Sequence, residues 1–280
     1  MTLARIAALF VYPVKSCRGI AVERARVTAR GLAAGVSDRE WMIVDDAGRF
    51  VSQREYPQLA LVAVTIDGTH LTLNAPGLGP LVVPIGGNGR PVRDVVVWQS
   101  TVRAHDMGDA AAAWLSRWLG TSVRLVRFDF RRQRACNREF VGNSGAHTAF
   151  ADGYPILVIG DGSLGELNRR LAAKGEVELP MNRFRPNLVL SGLDANEEDH
   201  LDTIDAGDVR LRLVKPCTRC RITTTNQDTA EVGTEPLRTL ASYRTDDRLG
   251  GVTFGMNAII EAGAGSEIAV GAPVSCTYRF

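Results

Sequence analysis

The residues with the most evident chemistry lie at 214–229, VKPCTRCRITTTNQDT, where Cys217 and Cys220 stand three apart. Lys215, Arg219 and Arg221 crowd the same seven-residue window, and no acidic residue follows until Asp228. Charge of that sign favours thiolate over thiol, and thiolate is the form that attacks electrophiles or ligates a soft metal. One cysteine of the pair therefore reads as a reactive sulfur, and the other as a free cysteine packed beneath the loop. Other readings compete with this one. A structural zinc site needs four ligands, of which C-x-x-C supplies two, and His70, His105, His147 and His200 show no ligand spacing. A dithiol redox pair wants its first cysteine at a helix N-terminus in a βαβ unit, whereas this motif falls between two strand-like runs. Two inert buried cysteines would leave the crowd of cations unexplained.

The elements that must hold this loop are strands. In GDVRLRLV, Val209, Leu211 and Leu213 alternate with Arg210 and Arg212, so one face is buried and the other wet. After Pro216 and the cysteine loop, RITTT resumes as a strand with Ile222 and Thr224 on one face. Upstream, ILVI at 156–159 and NLVLSG at 187–192 are strands. Between them Ser163 and Glu166 form an S-x-x-E capping box ahead of Leu164, Leu167 and Leu171, with Gly175 beyond. Thr234 and Pro236 open a short helix carrying Leu237, Leu240 and Tyr243, and EIAV and VSCTY close the chain as strands.

The first 100 residues alternate apolar runs, at 6–12, 41–44, 59–64, 71–73, 81–84 and 92–98, with turn clusters such as DDAG, APGLGP and GGNGRP. That spacing suits a small antiparallel sheet or barrel. A helix follows with Asp109 as N-cap, a stripe of Trp114, Leu115, Trp118 and Leu119, and Gly120 as its stop, then the strand 123–128. Residues 129–148 carry four arginines and few large apolar side chains, which marks a surface connection and a boundary between domains at 1–128 and 129–280. An RNA-binding strip is the sharper reading of those arginines, but only Phe130 and Phe140 offer stacking.

Composition narrows the function classes. Lys+Arg 33 against Asp+Glu 31 gives 33 − 31 = +2, so no overall field argues for a nucleic acid or an anionic membrane as partner. Five cysteines, an odd number and scattered, do not make a disulfide framework and fit a reducing compartment. Cys17 reads as packing, Cys136 and Cys276 as structural. The apolar run after Arg5 is stopped by Pro13 and lacks a cleavage site, so it reads as a first strand and not a signal peptide. No apolar run approaches the roughly 20 residues of a membrane-spanning helix. A soluble, cytoplasmic protein is expected.

The run KPCTRCRITTTNQDT followed by EPLRTLASYR resembles the core of the MOSC family, the molybdenum cofactor sulfurase C-terminal domain. YPVKSCRG and SDREW at 37–41 are similar to the β-barrel domain that precedes MOSC in the amidoxime-reducing components and their bacterial relatives. FADGYP and FRPNLVLSG match in the same order, so the resemblance covers essentially the whole chain. It implies a mainly β fold with α (α+β): an N-terminal β-barrel-like domain, then a MOSC β-barrel domain with peripheral helices.

The resemblance also implies a molybdenum cofactor, a Mo-pyranopterin, with Cys220 as the metal ligand. Lys15, Ser16, Arg39 and Arg185 match positions that bind its phosphate and pterin. Asp152, Gly153 and Tyr154 match a loop on the pterin, and Thr218 and Arg219 match positions around the metal. Gly153 and Tyr154 stand where some relatives have small hydroxylated residues, so a backbone contact is expected there. The implied activity is reduction of N-hydroxylated compounds (amidoximes, hydroxylamines, N-hydroxylated bases) by oxygen-atom transfer to molybdenum. Cys220 and Asp152 are its catalytic candidates, Asp152 for proton handling, with a plain turn or capping role as the alternative. The chain has no C-x4-C-x2-C run for a ferredoxin cluster, so electrons are expected from a separate flavoprotein, iron–sulfur or cytochrome carrier. Two rivals remain open: a cofactor carrier without turnover, and sulfur transfer through a persulfide on Cys220.

Overall fold

The computed structural model of the chain describes residues 4–86 and 90–279, so part of the GGNGRP turn cluster, at 87–89, lies outside the described residues. Seven strands close into a barrel. Around its wall they run Ile156–Gly160, Leu188–Ser191, Ala4–Val11, Pro273–Tyr278, Leu201–Ala206, Val209–Thr218 and Gly251–Ala262, and the last pairs back to the first. Closure leaves no open edge among the seven, which stabilises a wall of such short strands. Every pairing is antiparallel except Ile156–Gly160 with Leu188–Ser191. Inside lie Ile6, Leu9, Val158, Leu190, Leu211, Leu213 and their neighbours. Ile6 and Leu9 both face this core although they are an odd number apart, because a bulge between Ile6 and Ala8 resets the alternation.

The strand that begins the chain is thus part of a wall built mostly from its second half. Arg24–Thr28 likewise pairs with Glu267–Ala269. The remainder of the first half is a four-stranded antiparallel sheet and a three-stranded meander, with the helix Asp109–Leu119 packed alongside. Trp41–Val44 is buried along its length, with Trp41 and Ile43 in one apolar cluster and Met42 and Val44 in another. A strand covered on both faces needs no polar alternation, which is why WMIV is apolar throughout.

Several local expectations change. Residues 57–61 form a 3-10 turn, and of the 59–64 run only Ala63 and Val64 are in a strand, which continues to Ile66. Gly108, not Asp109, caps the helix; the Asp109 carboxylate lies in the first turn and pairs with Arg124 at 2.8 Å. The Ser163/Glu166 capping box does not form. The helix Asp161–Ala172 starts after Gly160, Ser163 donates to the buried Glu198 carboxylate at 2.6 Å, and Glu166 turns to Arg169 and Arg170. RITTT is not a strand: Arg221–Thr224 is a 3-10 turn, closed by the Thr223 and Thr225 amides donating back to the Cys220 and Ile222 carbonyls. The twelve-residue strand Gly251–Ala262, unanticipated from GVTFGMNAIIEA, is the partner that carries the cysteine strand. The 129–148 connection is not merely surface: Arg134–Ala135 pairs with His147–Thr148, and Arg134 is buried. Among the described residues no helix is long and apolar enough to cross a membrane, which says nothing of strands.

Candidate active site

The cysteine loop is aimed by its pairing. Against Gly251–Ala262, the strand Val209–Thr218 changes register three times, the last between Pro216 and Thr218. Bulges of this kind turn a strand and re-aim its side chains. Gly255 makes the last one possible: its φ is +76°, and a Cβ there would stand 2.8 Å from the Val158 carbonyl oxygen. Within the bulge Cys217 is half-buried; beyond it Cys220 is exposed and leads directly into the 3-10 turn.

Around this loop lies a cavity of about 120 Å³, lined by Lys15, Ser16, Arg39, Asp152, Gly153, Tyr154, Arg185, Thr218, Arg219 and Cys220. Every residue singled out from the sequence as a site candidate therefore borders one space. Asp152 accepts from the Lys15 ammonium at 2.5 Å and from the Trp98 indole at 3.0 Å, while Lys15 also donates to the Phe150 carbonyl at 2.9 Å. Burial lowers the Lys15 pKa, and the Asp152 charge works against that. For Asp152 itself, desolvation opposes ionisation but Lys15, Trp98 and Arg39 outweigh it and hold the carboxyl well below the usual range. At neutral pH Asp152 is an anion that accepts hydrogen bonds.

The same cavity also holds a stack of cations on one ring. Arg39 and Arg185 lie over Tyr12 at 4.2 and 4.4 Å from its centroid. Burial pushes the Tyr12 phenol up to about 12. Arg39 is oriented by Asp38 at 2.5 Å and by the Asn187 side-chain oxygen, Oδ1, at 3.1 Å; burial alone would lower its pKa, and Asp38 reverses that. Arg185 donates to the Cys17 carbonyl at 2.8 Å, and burial lowers its pKa to about 10. Among the described residues neither Arg185 nor Arg219 forms an ion pair, and the Arg219 Nε is buried without a partner. Desolvated cations without carboxylates are poised for an anion.

Backbone strain concentrates here. Ser16, Arg39 and Arg185 all have positive φ, at 70°, 48° and 57°, a conformation that side-chain-bearing residues avoid unless the surroundings enforce it. Ser16 is enforced by a buried amide pair, in which Gln53 donates to the Ser16 carbonyl at 2.7 Å and exchanges bonds with Gln227.

The cations near the cysteines divide. Arg219 donates to the Cys217 sulfur at 3.0 Å and to the Phe184 carbonyl at 2.6 Å, whereas Lys215 is engaged over the Phe140 ring at 4.6 Å. Among the described residues no three His, Cys, Asp or Glu side chains gather as a metal-ligand cluster. The soft donors facing the cavity are Cys217 and Cys220. Cys17 and Cys136 are buried, their thiols pushed up to about 12 and about 11 by desolvation, and Cys276 is partly buried and pushed to about 11.

Residues 3–122 match the model of the MOSC N-terminal beta barrel domain, and residues 145–275 match the MOSC domain. The mitochondrial amidoxime reducing component 2 of Bos taurus is 37% identical over 248 residues, covering 86% of this chain and 73% of its own. The mitochondrial amidoxime-reducing component 1 of Homo sapiens is 37% identical over 248 residues, covering 86% and 72%. The chain belongs to the MOSC family. Among solved structures, the YUAD protein of Bacillus subtilis aligns over 97% of this MOSC chain at 10% identity and a TM-score of 0.40, too loose a likeness to carry an argument.

Some residues of this MOSC cleft escaped the sequence. Asp38 and Asn187 sit inside SDREW and FRPNLVLSG beside arginines that drew attention, and a buried arginine's need for an acceptor was the available signal. Arg134 donates to the carbonyls of Ala149, Ala151 and Asp152, fixing the loop that presents Asp152. Phe50 and Arg54, from a stretch with no motif, complete the rim. Tyr154 packs against Cys136, Val141 and Ile259, and a Cβ added at Gly153 would meet open space.

Proposed function

We propose that this cleft holds a molybdenum cofactor and reduces N-hydroxylated compounds, the class to which the amidoximes named in its relatives belong. The observation that carries the reading is the convergence of an exposed thiol, Cys220, with Lys15, Arg39, Arg185 and Arg219 around one cavity. A donor set of one soft sulfur and several under-neutralised cations fits a soft metal on a phosphate-bearing organic carrier. The orphaned Arg219 Nε supports the same fit, since a bound group would satisfy it.

In this reading Cys220 ligates the metal. Arg39 and Arg185 grip phosphate and pterin as planar forks, Lys15 and Ser16 add donors, and Thr218 and Arg219 border the ligand. Asp152, Gly153 and Tyr154 form the facing loop, with Asp152 holding Lys15 and Trp98 in place; a carboxyl kept below the usual range is a weak base, which favours this positioning role over proton handling. When bound, the cofactor would supply the two electrons that reduce the N–O bond and would take up its oxygen, and the protein's part is positioning, charge and access. Electrons come from a separate flavoprotein, iron–sulfur or cytochrome carrier. The chain divides in sequence at 128/129, with both segments contributing to the cleft, and a cytoplasmic location remains our reading of its cysteines.

Elemental analysis and pterin extraction on the purified protein and on Cys220→Ala test this. The expected result is near-stoichiometric molybdenum in the first, and loss of metal and of benzamidoxime reduction in the second, with an unchanged circular dichroism spectrum. A metal-free protein purified from a molybdate-replete host would refute it. Sulfur transfer through a Cys220 persulfide is the second reading, favoured by a second thiol, Cys217, in the same cleft with Arg219 on its sulfur. Thiocyanate release on cyanolysis of metal-free protein distinguishes it.

A further inference from the structure

Strands Val92–Val97 and Ser100–Asp106 are joined by a two-residue hairpin turn, Trp98 and Gln99. Only Trp98 of the two has a positive φ, 55°, at a position where glycine, asparagine or aspartate is usual. A bulky aromatic there is conformationally unfavourable, and such residues persist where their surroundings hold them. Here the surroundings are the cavity rim. The indole N–H donates to Asp152 at 3.0 Å, Phe50 is tilted against the ring at 5.1 Å, and the Arg54 guanidinium lies over it at 4.6 Å. Arg54 also covers Phe50, at 5.3 Å, and Phe50, Arg54 and Asp152 all line the cavity. Despite these contacts Trp98 remains 49% exposed. Core packing does not explain a half-exposed ring, and a turn does not require one.

Resting on the reading that N-hydroxylated compounds are reduced in this cleft, we propose that Trp98, with Arg54 and Phe50, is a stacking shelf that selects substrates with a flat conjugated group. Planar π-systems gain from offset or tilted contact with an indole, and a guanidinium adds a cation facing the same electrons. A compact aliphatic hydroxylamine has no such face to offer. Asp152 couples the shelf to the cleft, because one carboxylate oxygen accepts from both Trp98 and Lys15. Trp98 is thus a specificity residue and takes no part in bond making.

The test is Trp98→Gly, chosen because glycine adopts this φ without strain and the hairpin keeps its shape. With a reduced viologen as electron donor, the ratio of kcat/KM for benzamidoxime over N-methylhydroxylamine should fall about tenfold, and Trp98→Phe should restore most of it. Calorimetric titration of benzamidoxime, which needs no turnover, should show the same loss of affinity in Trp98→Gly and its recovery in Trp98→Phe. Molybdenum content should match the parent. An unchanged ratio and an unchanged affinity would overturn the shelf while leaving the proposed activity standing. Loss of metal in Trp98→Gly would also overturn it, by assigning Trp98 to the cofactor's hold. A parent that reduces neither compound yet binds benzamidoxime through Trp98 would refute the proposed activity and uphold the shelf.

Discussion

Cys220 and Arg39 border the same cavity, yet Cys220 is exposed at the start of a 3-10 turn while Arg39 is enclosed by Asp38, Asn187 and the Tyr12 ring. The Cys220 thiol is exposed and makes no hydrogen bond among the described residues, whereas Arg39 and Arg185 are held by acceptors and by backbone in positive φ. The difference reflects what each group has to do. A charge kept out of water must be fixed by acceptors before a ligand arrives, a carboxylate for Arg39 and a backbone carbonyl for Arg185, or it destabilises the fold. A sulfur that is to form a bond must instead be reachable. Stability and chemistry are thereby assigned to different residues of one cavity, and substitutions can separate them.

The sharpest separation is expected from Asp38→Ala. Asp38 is 2% exposed and accepts from Tyr12 N, Arg39 and Asn187, so its loss strands a buried cation. Urea unfolding should show a loss of about 3–5 kcal/mol, against less than about 0.5 kcal/mol for the exposed Cys220→Ala. Equal costs for the two would erase the comparison. Next comes Arg134→Met, which withdraws donors from three carbonyls and should cost about 2–3 kcal/mol. Because the Asp152 loop is what it holds, molybdenum retention should drop along with the unfolding midpoint.

A smaller effect is expected at the seam below Ser16. Gln53→Ala breaks the reciprocal bonds with Gln227 and should cost about 1–2 kcal/mol, with weaker cofactor retention as the accompanying sign. The smallest change at neutrality is predicted for Cys17→Ala in its pH response. An unfolded thiol releases its proton from about pH 9.0, but burial holds the Cys17 proton to about 12, so the unfolded state is favoured progressively as pH rises through that window. The parent's stability should decline from pH 9 toward 12, and Cys17→Ala should flatten that limb without altering the slope below pH 9.

Much of this contrast was legible in the chain and part was not. The alternation in GDVRLRLV and the apolar run WMIV translate directly into a half-wet and a fully covered strand, since burial of alternate residues depends only on local pleating. The motifs bearing Lys15, Arg39, Asp152, Arg185 and Cys220 were also visible. The local errors share a cause: Ser163 and Asp109 looked like caps, but each found a better partner far along the chain, Glu198 for one and Arg124 for the other. Arg134 read as a surface arginine because nothing in its neighbourhood reveals the carbonyls it binds.

By itself the sequence determined the types of chemistry available, a thiol among cations and an excess of strand-forming runs, because residue type and short-range periodicity are local properties. Only the tertiary structure decided which of these groups meet. Lys15 reaches Asp152 across 137 positions, and the first strand sits in a wall made mainly of the last, because a closed barrel satisfies its hydrogen bonds by joining segments without regard to their order in the chain. The strain at Trp98 belongs to the same class: a tryptophan in a hairpin turn is explained by the Asp152 and Arg54 side chains that folding brings beside it.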